Sequence, residues 1–294
     1  VWTDQNLLAD GGSLVSIGVD DARRTFSKLT WRASVDHHFS NAVMIYGSYN
    51  RGFKSGGFNE ITLPLSSYAP ETLDAWEAGV KAQAFDRAVT FNASGFYYDY
   101  KNIQTVRYVD QSARVYNGSG AKLYGVDIDA TLRPTQRLTL NVGAEFMHAT
   151  YGSFVGADRT VALPGGGTAY LTTNDDGSIY NAKGNRVALA PNTMLNASAD
   201  YQIPLGAGEL KMHADYAWMG SWYAEPDNRL RQKGYGLLNG QLAFTPAGTA
   251  WTMRVWVKNL TNERYLITLG SQDIGDFAAY GAPRTYGFSI EKSF

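Results

Sequence analysis

The stretch Tyr46–Asn59, YGSYNRGFKSGGFN, decides how the rest of the chain is read. Just before and into it, NAVMIYGSY (41–49) alternates apolar and polar residues and is rich in the β-branched and aromatic types that suit a half-buried, pleated strand. The strand runs without a break into a basic, aromatic segment in which Gly52, Gly56 and Gly57 admit turns that other residues resist. This is the pattern of a strand leaving an apolar layer and opening into a ligand-facing loop.

The same alternation extends in both directions. Upstream, Leu29, Trp31, Ala33 and Val35 fall on one face and Thr30, Arg32, Ser34 and Asp36 on the other. Downstream, Trp76 to Ala84 returns after the tight turn Asp86-Arg87 as Val89, Phe91 and Ala93, a strand expected to continue through FYYDYKNIQ (96–104). Tyr124–Leu132 and Leu138–Phe146 follow around Pro134–Gln136, then Leu195–Tyr201, Leu210–Trp218, Leu238–Phe244, Trp251–Val257 and the terminal RTYGFSIEKSF (284–294). Eleven strands result, joined alternately by five short turns and five longer loops.

Period two alone fits either a sandwich or a barrel. The loop asymmetry separates them, because short turns at one end and long loops at the other are the outer-membrane barrel pattern. The faces agree. One is almost uncharged, with Val126, Ile128, Leu140, Met212, Met253 and Val255, and suits lipid; the other carries Asp127, Asp129, Glu145, Lys81 and Lys211 and suits a wet lumen. Aromatic residues at two levels mark two membrane interfaces: Tyr201, Phe244, Trp251 and Phe294 beside the turns, and Tyr97, Tyr124, Phe146 and Trp222 towards the loops. The fold class is therefore all-β, an antiparallel transmembrane β-barrel. Eleven is odd, and no open edge can face hydrocarbon, so residues 1–294 are expected to be the C-terminal half of a larger barrel with no separate second domain.

Composition narrows the function classes. The 294 residues carry a formal net charge of −1, which gives no basic stripe for a nucleic-acid partner. With no cysteine there is no disulfide framework, thiolate metal site or cysteine nucleophile. His37, His38, His148 and His213 show no metal-ligand spacing, and NDDGS (174–178) lacks the full calcium-loop pattern and reads as a turn. His213, between Lys211 and Asp215, reads as a hydrogen-bonded wall residue. No catalytic, metal or cofactor set emerges, and an enzyme is not expected.

Six segments resemble the TonB-dependent outer-membrane receptors. The opening stretch is similar to their Y-x-S-x-x-x-G-F-K-x-G-G-F signature, and APETLDAWEAGVKAQ (69–83) to their P-E-x-x-x-x-x-E-x-G-x-K strand. FYYDYKNIQ followed by AKLYGVDIDA (121–130) resembles their F-x-x-D-Y-x-x-x-Q and Y-G-x-D steps. VWVKNLTNERY (255–265), with Asn262 where aspartate is usual, and GAPRTYGFSI (281–290) resemble their N-L-x-D-x-x-Y and P-R-x-Y-G segments. The resemblance covers residues 28 to 294 and implies about half of a plugged barrel of about twenty-two strands. It also implies an outer-membrane location in a Gram-negative bacterium, lipid as the surrounding partner, and active uptake of a scarce nutrient such as a ferric siderophore. Neither plug nor TonB box is recognised in these residues, so TonB is expected to act only through a missing N-terminal part. Arg51–Pro70 holds no histidine, which argues against haem. A passive porin or sugar channel, and a soluble all-β carbohydrate-binding protein, are the alternatives.

The candidate ligand contacts sit at strand tops or in long loops: Arg51, Phe53, Lys54, Tyr98, Tyr100, Gln104, Arg107, Tyr116, Trp222, Arg229, Arg231 and Tyr265. Arginine and lysine pair with carboxylate, hydroxamate or catecholate oxygens, and aromatic rings stack on a flat or apolar ligand. Arg51 and Lys54 in particular are expected to meet an anionic chelate at the mouth.

Overall fold

The computed structural model describes residues 6–8, 14–16, 23–59, 66–109, 112–118 and 120–293; Phe294, read above as an interface aromatic, lies outside them. Eleven strands form one antiparallel sheet in strict chain order: β1 (Trp31–Ser40), β2 (Val43–Lys54), β3 (Glu71–Ala84), β4 (Val89–Lys101), β5 (Gly120–Thr135), β6 (Leu138–Tyr151), β7 (Thr193–Leu205), β8 (Gly208–Met219), β9 (Tyr235–Pro246), β10 (Trp251–Lys258) and β11 (Thr285–Lys292). Connections at one end are short, at 41–42, 85–88, 136–137, 206–207 and 247–250. Those at the other end are 55–70, 102–119, 152–192, 220–234 and 259–284.

Register fixes the faces, since residues paired across neighbouring strands point the same way. Leu138, Tyr201, Met212, Leu242, Val255 and Phe288 form one continuous cross-strand row. Most of its large side chains stand open on the outside: Met212 is 39%, Leu242 42%, Val255 47% and Phe288 60% exposed. Among the described residues no large side chain is fully buried, so this apolar surface does not close on a second sheet. A sandwich core is thereby excluded, and hydrocarbon is the solvent that suits such a face. Asp127 pairs with Glu145 on the opposite face, where Asp129 and Lys211 also lie.

The upper limit of the apolar band is drawn by two adjacent rows. Tyr49, Trp76, Tyr97, Tyr124 and His148 follow one another strand by strand across β2 to β6. Tyr49 and Trp76 have ring centroids 5.0 Å apart, Trp76 and Tyr97 5.6 Å, and Tyr124 and His148 5.0 Å. Amphipathic rings at one level mark a membrane interface. His148 takes the place in this row that Phe146 was expected to hold, and Phe146 lies one row lower opposite Val126. Two residues further along each strand, about 7 Å higher, runs a row of polar and charged side chains: Arg51, Asp74, Asp99, Lys122, Thr150 and Arg186.

Two local expectations change. FYYDYKNIQ is not one strand: β4 ends at Lys101, and Asn102 takes a positive φ of 54° that breaks the ladder. Gln104–Val109 then pairs with Ser112–Asn117 as a separate hairpin. The long loops also carry short hairpins of their own, Gly57–Asn59 with Ser66–Tyr68, Arg159–Ala162 with Thr168–Leu171, and Leu266–Gln272 with Gly275–Tyr280.

Candidate functional site

The polar face bears a cavity of about 370 Å³ against β2 to β6. Glu77, Asp127, Asp129 and Glu145 line it with a single lysine, Lys81, so the wall is acidic. Strand alternation puts all of them on one side, and Gly79 adds a close approach. A Cβ there would come within 2.7 Å of the Tyr46 ring, which lies across the glycine while its hydroxyl donates to Glu77. Tyr98, a candidate contact, also lines the cavity and stacks on Phe96 with centroids 5.0 Å apart. Lower on the same face His213 is held by Asp200 at 2.8 Å and Asp215 at 3.3 Å, as expected of a wall residue.

Above the cavity the loops fold over the inner wall. The small buried cluster Ala121, Tyr151, Phe154, Ala157 and Ala182 packs against Tyr100, Ile103 and Leu123, so Tyr100 supports the loop at 152–192. Gln104 ties the next two loops together. Its side-chain amide donates to the carbonyls of Ser55 at 2.8 Å and Ala69 at 3.2 Å, and its backbone N–H donates to Glu71 at 2.7 Å. Asn59 and Asn117, which the sequence reading did not single out, complete that seam. Asn59 donates to the Val115 carbonyl and accepts from its N–H; Asn117 does the same with Ala69. Arg107 lies on the Gln104–Val109 strand, and Tyr116 on its partner.

The remaining loops meet at Arg229. Its guanidinium donates twice to Asp276, at 2.8 and 2.6 Å, and also to Ser271 at 2.6 Å and Thr160 at 2.7 Å. Thr160 in turn donates to Asp227 through both its N–H and its hydroxyl. One side chain thus joins the loops at 152–192, 220–234 and 259–284. Trp222 is buried in the middle one. Tyr265 stacks on Tyr235, centroids 4.5 Å apart, and the Tyr265 ring fills the space that a side chain at Gly281 would need.

The clamp has a pH signature. Arg229 beside Asp276 lowers its carboxyl to about 2. A depressed carboxylate stabilises the fold above its ordinary value of about 4. That contribution is lost as pH falls through about 2. Glu225 works in the other sense: burial pushes its pKa up, so its ionised form opposes loop packing and protonation relieves that. The carboxyl carbon of Asp276, followed by NMR, should titrate near 2. A midpoint at the ordinary carboxylate position would mean the clamp is open in solution.

Arg51 and Lys54 are not neighbours in function. Arg51 stands on the apolar side, in the charged row, where it makes two bonds to buried Asp74 at 2.7 and 2.8 Å. Tyr49 and Lys101 bind the same carboxylate, at 2.6 and 3.3 Å. Phe53 shares that side, opposite Thr72, whereas Lys54 pairs in register with Glu71 on the polar face. The two cations expected to meet one anionic ligand stand on opposite faces of the sheet, because residues three apart on a strand point to opposite sides. Arg231 lies beside Tyr223, its guanidinium 5.8 Å from the ring centre. Apart from Arg107 and Tyr116, the candidates therefore divide among the inner wall, the loop seams and the outer rim.

The chain matches the family model described as TonB dependent receptor-like, beta-barrel, over residues 2–260. The ferric-pyoverdine M114 receptor PbuA of Pseudomonas sp. (strain M114) is 23% identical over 281 residues, covering 94% of this chain and 31% of that protein. The pesticin receptor of Yersinia pestis is 22% identical, with 84% and 33% covered. The chain thus spans about a third of the length of these relatives. Among solved structures, the ferric yersiniabactin uptake receptor FyuA from Yersinia pestis superposes with a TM-score of 0.76 at 20% identity, over 97% of this chain and 40% of that one. The ferripyoverdine receptor of Pseudomonas aeruginosa gives 0.62 at 14%, over 94% and 34%. These likenesses are likenesses of fold.

Proposed function

Since this chain belongs to the TonB-dependent receptor β-barrel family, whose members reside in the bacterial outer membrane, we propose that it is the C-terminal part of an active-transport receptor for a ferric siderophore. One observation carries this reading: an eleven-stranded lipid-facing sheet bears, at one end only, long loops locked to each other around a polar inner wall. A passive channel needs a wide, unobstructed mouth. Loops fastened by Arg229 and Gln104 instead build a defined surface for one class of ligand. The two outermost strands, β1 and β11, do not pair with each other. Residues 1–294 then form one barrel part, completed by strands from the rest of the protein, which also supplies the contact to TonB.

On this reading the ligand meets the polar side of the mouth. Lys54 and Tyr98 are the candidates whose side chains reach it directly, while Tyr100, Gln104, Trp222 and Arg229 hold the surface in shape. No catalytic role is assigned to any of them. The test is iron uptake from labelled ferric siderophores by cells whose only such receptor is the full-length protein containing this chain. Uptake should stop when the proton-motive force is collapsed. Uptake that persists without energy, or equilibration of small sugars instead, would favour the passive channel.

A further inference from the structure

We propose that the outer rim of the sheet above β5 to β8 is a binding site for the phosphate headgroup of a membrane lipid. The charged row is not uniform along its length. On the β2 to β4 side, Arg51 and Lys101 are neutralised by Asp74 and Asp99. Further along, Lys122 and Arg186 have no carboxylate partner among the described residues, and Arg231 joins them with none. Arg186 is placed there by its pairing with Thr150, two residues beyond His148 of the aromatic row.

Arg186 and Arg231 converge. Both donate to the Ser221 hydroxyl, at 3.2 and 3.0 Å, and both guanidiniums lie over the Tyr223 ring, at 5.4 and 5.8 Å from its centre. Further bonds from Arg186 to the carbonyls of Ala190 at 3.0 Å and Ser221 at 2.7 Å hold it in place. Two cations gathered on one hydroxyl and one ring repel each other, and burial together with the Arg231 charge makes the Arg186 proton easier to lose. A phosphate bridging them removes the repulsion and accepts the forked donors that guanidinium presents.

The occupant is a lipid and not a free anion because of what lies below. Directly under the aromatic row, Gly47, Ala78 and Gly95 put three small residues side by side, and Val126 and Phe146 continue that row. The result is an apolar groove of about 900 Å³ walled by Trp76, Tyr97, Tyr124, Phe146 and His148. An acyl chain fits the groove while its headgroup reaches the arginines above the aromatic row.

The test uses the full-length receptor, stripped of lipid in detergent. Its binding of dioctanoyl phosphatidic acid, dioctanoylglycerol and inorganic phosphate is read by native mass spectrometry. Phosphatidic acid should bind at least about tenfold more weakly to an Arg186→Gln, Arg231→Gln double variant than to the unaltered protein. Dioctanoylglycerol should bind weakly and equally to both, and inorganic phosphate should not displace the lipid at comparable concentration. Because Arg186 also braces Ser221, the single variants Arg231→Gln and Lys122→Gln serve where the double variant does not assemble; each should weaken phosphatidic acid by about threefold or more. Unchanged phosphatidic acid binding in the variants overturns the proposal. So does displacement by inorganic phosphate alone, which would make this an anion site without a lipid.

Discussion

Replacing Val255 by lysine should cost about 2–4 kcal/mol of folding free energy in lipid vesicles, the penalty for a cation near mid-bilayer on the outside of a barrel. Val255 lies four residues beyond the turn-side Trp251, about 13 Å along the strand, and pairs with Leu242 and Phe288 in an apolar row. Its cross-strand neighbours among the described residues offer no carboxylate to pair with. Thr252→Lys is the matched control, on the polar face and directly opposite Glu291. It should change stability little. Equal tolerance of the two lysines in a denaturant titration of vesicle-folded protein would reverse the assignment of faces.

Arg229→Ala should open the loops while leaving the membrane sheet intact. It removes four donor contacts and both charge-assisted bonds to the Asp276 carboxylate, which keeps only the hydroxyls of Ser271 and Thr168 among the described residues. Charge-assisted bonds are worth roughly 1.5–3 kcal/mol each and are not additive, so a local loss of about 2–4 kcal/mol is expected. Asp276 is about a third exposed, which keeps the effect below that of a fully buried pair. Hydrogen exchange should speed up in Arg159–Ala162, Leu266–Gln272 and Gly275–Tyr280, with β5 to β8 unchanged. Protection retained in all three strands would mean that packing around Trp222 and not Arg229 holds the mouth together. Ligand affinity measured on the same variant tells whether a locked mouth is needed for capture.

Strand existence, strand count and the division of faces were legible in the sequence because a period of two is a local property. Leu242, Val255 and Phe288 announce their side by their neighbours in the chain, and the register only lines them up. The asymmetry of turns and loops was equally legible, since it needs only the lengths of the connections. Where backbone conformation at a single residue decides, the reading failed. Asn102 in a left-handed conformation ended β4 at Lys101, three residues short of the Gln104 that the pattern indicates.

The contacts were harder for a different reason. Arg51 and Lys54 sit in one motif, and composition alone groups them. Strand parity could have separated them, and only pairing showed that Asp74, twenty-three positions away, holds Arg51. Arg229 is forty-seven positions from Asp276 and sixty-nine from Thr160, and nothing local marks the three as partners. The sequence by itself determined the membrane-spanning sheet, its two faces and its family, because alternation, connection length and short motifs are written along the chain. Tertiary structure alone decided which cations are neutralised and which stand open, because charge pairing depends on distance through space between loops that sequence order keeps apart.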